Sequence, residues 1–204
     1  MRLFKTPRFF RLLFPNKTWG FSRYENSVYL TFDDGPDEEV TPWVLDLLKE
    51  KGVSATFFCV GTNVQKHPEI YERIVREGHA VGNHAMNHER GTKTETPLYL
   101  QSVEEAARII DSNLFRPPYG RMTFYQTKAI RKKYELIMWS WLSYDFDKRV
   151  TIETILKKAK KQIKNGDILV LHDNPKTFDR LKILLPQLIN SLTVKGMEFK
   201  KITV

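Results

Sequence analysis

Cysteine is nearly absent: Cys59 stands alone among 204 residues. A single thiol excludes an intrachain disulfide and leaves the redox compartment open. It sits in the apolar run Ala55-Thr-Phe-Phe-Cys-Val60 and is expected as a buried strand residue rather than a nucleophile. Long hydrophobic runs are missing too. The terminal stretch from Met1 to Pro15 is basic and aromatic, but Arg11 interrupts it and it is far too short to span a bilayer. No small-residue cleavage site follows, so it does not read as a secretion signal, and a cytoplasmic location is expected. Membrane association or export by another route stays open. Internal repeats, low-complexity segments and an interdomain linker are also lacking. With 41% apolar residues the length suits one domain with a sizeable core.

Charge is present in excess of one sign. The net charge of +9 is spread over the N-terminal arm, Arg131-Lys-Lys133, Lys157-Lys-Ala-Lys-Lys161 and Lys200-Lys201. The last three groups fit solvated helix faces or a strand end, and no nucleic-acid module signature accompanies them, so no nucleic acid is expected as a partner. Residues 1–24 read as a basic, aromatic arm packed through Phe9, Phe10 and Leu13 on a domain of residues 25–204. The second reading of the arm is an interfacial membrane anchor, with Pro7 and Pro15 confining any helix to about two turns. Oligomeric state is not legible.

Strand-like and helix-like patterns alternate along the body. Pro42 suits the first turn of a helix capped by Thr41, with Val44, Leu47 and Leu48 on one face and Gly52 as its end. The strand 55–60 follows. Pro68 opens a helix carrying Ile70 and Ile74, closed by Gly78 before the strand 79–82. Val103, Ala106, Ala107 and Ile110 mark a third helical face, followed by the apolar run Leu136-Ile-Met-Trp139. A helix with Ile152, Ile155, Leu156, Ala159 and Ile163 precedes the strand Ile168-Leu-Val-Leu171. Leu181, Leu184, Leu185 and Leu188 form the last stripe, and residues 199–204 a closing strand. Continuous apolar strands alternating with helices imply parallel pairing. The expected fold is α/β, a single irregular (β/α) barrel with about seven parallel strands; a doubly wound open sheet is the alternative. The longest irregular stretch, about Glu89 to Leu100, is expected to shape a substrate groove.

Two short motifs carry the chemistry. Thr31-Phe-Asp-Asp-Gly-Pro36 places adjacent carboxylates at the end of a strand, and His84-Ala-Met-Asn-His88 places two imidazoles four residues apart. One carboxylate with two histidines is a common divalent-metal set, and the second carboxylate is then available as a base. Asp33, Asp34, His84, His88 and His172 all follow expected strands, where barrel active sites gather. Two aspartates before Gly-Pro also fit a plain turn, but the combination points to metal-assisted hydrolysis.

Together with Arg116-Pro-Pro-Tyr-Gly120 and Leu171-His-Asp173, these motifs resemble those of the polysaccharide deacetylases with the NodB homology domain, carbohydrate esterase family 4. The resemblance implies a NodB-type barrel, metal ligation by Asp34, His84 and His88, and Asp33 as general base. His172 would be the general acid and Arg116 the partner of Asp33. The N–H of Tyr119 would complete an oxyanion site on a loop stiffened by Pro117 and Pro118. One divalent metal is implied, zinc first, with cobalt, manganese or nickel as alternatives. The substrate would be a carbohydrate.

The chain departs from the family pattern at two places. Ala85 stands where serine or threonine is usual, removing a hydroxyl that steadies the loop. The fourth motif is degenerate in Trp139-Ser-Trp-Leu-Ser-Tyr-Asp-Phe-Asp147. Asp145, rather than Asp147, best matches the aspartate that orients the acid histidine, with Leu142 and Phe146 replacing other motif positions. Trp139, Trp141, Tyr119 and Phe146 are candidates for a sugar-stacking surface, although Trp139, at the end of an apolar run, is expected chiefly as core packing. Leu171 is expected to line a pocket for the acetyl methyl. The leading function is a metal-dependent hydrolase removing N-acetyl groups from a GlcNAc-containing poly- or oligosaccharide: peptidoglycan, chitooligosaccharide or exopolysaccharide. The alternatives are an O-acetyl sugar esterase on the same scaffold and a non-catalytic carbohydrate-binding relative.

Overall fold

Residues 135–136 and 141–142 lie at opposite edges of one sheet, yet only four residues separate them. Five Cα steps reach at most about 17 Å, so the sheet must curl until its edges nearly meet. That constraint gives the molecule its shape, seen in a computed structural model that describes residues 2–203.

The elements follow in chain order. A short helix α1 (Arg8–Leu13) precedes β1 (Ser27–Asp33), α2 (Val40–Lys51) and β2 (Thr56–Cys59). Then come α3 (Gly61–Lys66), α4 (Pro68–Arg76), β3 (Ala80–Asn83), α5 (Thr96–Ala107), β4 (Leu114–Phe115), α6 (Phe124–Ile130) and β5 (Glu135–Leu136). The chain ends with β6 (Trp141–Leu142), α7 (Ile152–Gln162), β7 (Ile168–His172), α8 (Phe178–Thr193) and β8 (Glu198–Phe199). The strand order is β5-β4-β3-β2-β1-β7-β6, with β8 on the first residues of β1, and these pairings are parallel. The expected irregular barrel is therefore present, open at one seam.

Strand alternation divides the core into two layers. Val28, Leu30 and Phe32 of β1 pack outward with Leu45, Leu48, Leu184 and Leu188 of the helices, while Phe58, Leu114, Ile137 and Ile168 fill the interior. The α8 stripe is fully buried, as its helical spacing requires. Gly52 closes α2 in the left-handed region (φ 63°), where a side chain would be strained. Thr123 and Gln126 form a reciprocal cap on α6.

Several boundaries differ from expectation. Thr41 does not cap α2, which starts at Val40; its hydroxyl is drawn instead to Asp173 (2.7 Å). The irregular stretch after His88 is shortened by a 3-10 turn at Gly91–Lys93 and by α5 starting at Thr96. Ala107 is exposed, outside the buried face of α5. The run from Leu136 contributes strand only through Leu136, because the chain then crosses the seam. The closing strand is confined to residues 198–199; Met1 and Val204 lie outside the described residues.

The arm packs differently too. Phe4 is the buried anchor, against Trp141 and Tyr144, whereas Phe9 and Leu13 are exposed and Phe10 is half-buried. The backbone of residues 4–6 pairs antiparallel with β6, through Leu142 N–H to Phe4 O (2.9 Å) and Thr6 N–H to Ser140 O (2.9 Å). Thr18 bonds Leu136 and Met138. The arm thus fills the seam. Buried Asp167 holds it by ion pairs to Lys5 and Arg23. Among the described residues no helix is long and apolar enough to cross a membrane.

Candidate active site

Asp33 ends β1 and Asp34 begins the loop, with φ 84°. The left-handed turn separates two adjacent carboxylates onto different partners. Ala85, His88, Tyr119 and Tyr144 are the other described non-glycine residues with positive φ, and all lie in loops at the same end of the sheet. Such concentration of backbone strain is typical of sites whose side chains must be aimed.

Asp33 turns inward. Its Oδ1 accepts from Arg116 Nη1 at 2.6 Å, and the same nitrogen donates to Thr31 Oγ1 (2.7 Å). Arg116 is fully buried over the Phe58 ring, and its other nitrogens reach the carbonyls of Ile137 and Met138 at the seam. Burial pulls its pKa down, opposed by the Asp33 charge.

Asp34 turns toward the histidines. Its Oδ1 lies 3.1 Å from His88 Nε2 and 3.8 Å from His84 Nε2. The donor atoms of Asp34, His84 and His88 all fall within 4.8 Å of one another. The Nδ1 of His84 is 2.7 Å from the carbonyl of Arg116, which can only accept, so Nδ1 carries the proton and Nε2 presents a lone pair. Burial also lowers the His84 pKa to about 4, favouring the neutral ligand form. For Asp34, burial works toward a higher pKa, but the His88 hydrogen bond and the neighbouring imidazoles outweigh it and hold the carboxyl well below its usual range. Tautomer, charge and spacing all fit one divalent cation.

His172 ends β7. Its Nδ1 meets Asp145 Oδ1 at 2.8 Å, and its backbone N–H donates to Asp145 Oδ2 at 2.8 Å. Asp145 is fully buried and also accepts from Ser143 Oγ and the Phe146 N–H. Desolvation would lower the His172 pKa, but the carboxylates of Asp145, Asp34 and Asp33 prevail and raise it to about 9. Asp147 takes no part in this contact; it pairs with Arg149 (3.0 Å) and Arg2 at the surface.

Tyr119, also at positive φ, rides on the 3-10 turn after Pro117, its ring beside His88 and under the Arg90 guanidinium. It is 52% exposed, and Phe146, edge-on to His172, is 48% exposed. Trp139 is half-buried against Gly120, but Trp141 is wholly buried in the core, which removes it from any sugar-stacking surface. Leu171 is likewise corrected. It is fully buried in the outer layer, in register with Phe32, and so faces the helices rather than the cleft. By alternation Val170 shares the inner face with His172.

Other contributors were given no role at the site from the sequence. Asp173 accepts from the Gly35 N–H (3.1 Å) and Thr41 Oγ1 (2.7 Å), anchoring the aspartate loop, and burial raises its pKa to about 8. A side chain at Gly35 would collide with that carboxylate, so only glycine fits. Asn174 donates to Asp34 Oδ2 (2.7 Å) and Asn63 to the Asp34 carbonyl (2.7 Å). The polar run His172-Asp-Asn174 at a strand end was the available signal. Around Ala85 the loop backbone is held by other side chains: Asn83 Oδ1 accepts the Ala85 N–H (2.8 Å), and Ser102, itself bonded to Glu89, accepts the Met86 N–H.

A curled parallel sheet with its ionisable groups gathered at the C-terminal strand ends has the arrangement of the (β/α)-barrel enzymes. The description "Polysaccharide deacetylase" fits the family model that matches residues 22–137. A peptidoglycan-N-acetylglucosamine deacetylase of Bacillus cereus is 32% identical over 189 residues, 89% of each chain. A chitooligosaccharide deacetylase of Bradyrhizobium is 37% identical over 174 residues, covering 81% of this chain and 78% of its own. A solved peptidoglycan N-acetylglucosamine deacetylase, in complex with 4-naphthalen-1-yl-N-oxidanyl-benzamide, superposes with a TM-score of 0.85 at 30% identity, over 95% of this chain and 94% of its own. The chain belongs to the polysaccharide deacetylase family.

Proposed function

We propose that this protein removes N-acetyl groups from a GlcNAc-containing poly- or oligosaccharide, releasing acetate, with residues 25–204 as the catalytic unit and residues 1–24 closing its seam. The observation that carries the reading is the register of β1 on β7, in which Asp33 and His172 are direct partners. A candidate base and a candidate acid therefore stand on adjacent strands, about 4.8 Å apart along the sheet, beside the donor set of Asp34, His84 and His88.

In this reading those three residues hold a divalent ion, zinc first by its preference for nitrogen and carboxylate donors. When bound, such an ion polarises an acetyl carbonyl and acidifies water. The chain's own groups do the rest. Arg116 fixes one oxygen of Asp33, aiming the carboxylate to take a proton from the attacking water. The Tyr119 N–H, held by the turn behind Pro117 and Pro118, donates to the developing oxyanion. His172, clamped by Asp145, gives its proton to the departing nitrogen. An amine leaves only when protonated, and His172 is placed to supply that proton, so the site is equipped for an amide as well as an ester. The named substrates of the relatives, peptidoglycan and chitooligosaccharide, support a GlcNAc-containing glycan.

The test is acetate release from chitooligosaccharides by metal-stripped protein resupplied with zinc, alongside Asp33→Asn. The expected outcome is zinc-dependent release that the substitution lowers by about 10²- to 10⁴-fold, with metal binding unchanged. Zinc binding with equal acetate release by the variant would remove Asp33 as base. Release from O-acetylated sugars alone would make the protein an esterase.

A further inference from the structure

We propose that the end of the molecule opposite the catalytic cleft docks on an anionic lipid bilayer, with α1 as the part that inserts. The placement of α1 follows from its two anchors. Thr6 bonds Ser140, just before β6, and the Phe21 N–H bonds Gly166 (2.8 Å), just before β7. The segment between them is held at the N-terminal ends of the strands, whereas Asp33 and His172 stand at the C-terminal ends of β1 and β7.

This segment carries apolar side chains with little cover. Phe9 is 53% exposed, Leu12 80%, Leu13 64% and Phe14 45%. Residues 1–24 contain six lysines and arginines and no acidic residue. Arg2, Lys5 and Arg23 are paired to Asp147 and Asp167 of the body, which fixes the arm in place.

The same end of the molecule carries more positive charge. Helices favour cations in their last turns, and in a parallel β/α sheet the last turns collect at the N-terminal strand ends. Nearest the seam they carry Lys128 on α6, which leads into β5, and Lys160 and Lys161 on α7, which leads into β7; farther round, Lys49 and Lys51 on α2 and Arg76 on α4 share this end with Glu50, Glu77, Glu104 and Glu105. Lys195, just past α8, reaches the carbonyl of Lys160. The acidic first turns, with Glu153 on α7 and Asp179 on α8, face the opposite pole. A small leucine and phenylalanine projection on a basic arm, flanked by the lysines that end α6 and α7, matches the interface of an anionic membrane, which rewards shallow apolar insertion and diffuse positive charge together. A six-residue helix offers far less than the roughly 800 Å² per partner of a stable protein interface. Docked this way, the cleft faces away from the lipid.

The test is cosedimentation of the full chain with phosphatidylcholine vesicles, with and without about one third phosphatidylglycerol. Binding is expected to the anionic vesicles only, to be released by raised salt, and to fall about tenfold or more in Leu12→Glu/Leu13→Glu. Lys160→Glu/Lys161→Glu is expected to weaken it too, with circular dichroism and melting temperature of both variants matching the parent. No binding to anionic vesicles, equal binding to neutral ones, or indifference to both double variants would overturn the proposal. So would a dimer in light scattering that Leu12→Glu/Leu13→Glu dissociates, which would assign the patch to a second copy.

Discussion

His172 owes its proton to its neighbours. An imidazole with an ordinary pKa of 6.5 is raised to about 9 because the carboxylates around it outweigh desolvation. Since the folded pKa lies above the unfolded one, the stability gained is fully present below about pH 6.5 and is lost as pH rises toward 9. In the proposed mechanism the sign is the same: protonated His172 is the active acid, and kcat falls on an alkaline limb that lies below pH 9 once a divalent ion on Asp34 offsets that carboxylate's charge. Asp145→Asn is expected to move that limb to lower pH and reduce kcat more than it changes KM, as a pH-rate profile would record. Most of these residues were legible because motif spacing is local: Asp33, Asp34, His84, His88 and His172 are brought to one end of the sheet. Leu171 was misread because adjacency to His172 in sequence means opposite faces of a strand. The roles of Asp173 and Asn174 were not legible, since both act across about 140 residues on a loop whose strained backbone has no signature of its own.

Among the elements, helices whose stripes or caps are self-contained, such as α8 and α2, were readable from periodicity. The short strands β4, β5, β6 and β8 were not bounded correctly or at all, because two-residue strands exist only through their partners. The arm is the clearest such case. Its exposed phenylalanines look like the natural anchors, yet Phe4 alone fits behind β6. Phe4 touches Tyr144, Tyr144 touches Phe146, and Phe146 lies edge-on to His172. Phe4→Ala is expected to destabilise the fold by about 3 kcal/mol or more, as buried phenylalanine truncations do, and to lower kcat while leaving zinc affinity intact. Denaturant unfolding and isothermal titration would check the two halves of that expectation.

For the whole molecule, the metal candidates couple the site to global stability. Asp34 lies after β1, and His84 and His88 follow β3, so an ion held by all three would tie together two parts of the sheet that unfolding separates. At a hundredfold excess over Kd, binding to the native state alone adds about 2.7 kcal/mol, or roughly 5–10 °C in Tm at this chain length. Zinc is expected to produce that rise, a chelator to reverse it, and His84→Ala to abolish it. The seam has a consequence of another kind. Residues 4–6 and Thr18 occupy backbone groups that the curled sheet would otherwise present along its rims. An unpaired rim is a template for another strand. The arm therefore serves as a built-in guard against self-recruitment, and a protease that nicked it near Pro7 would free the segment paired to β6 and leave a newly adhesive side.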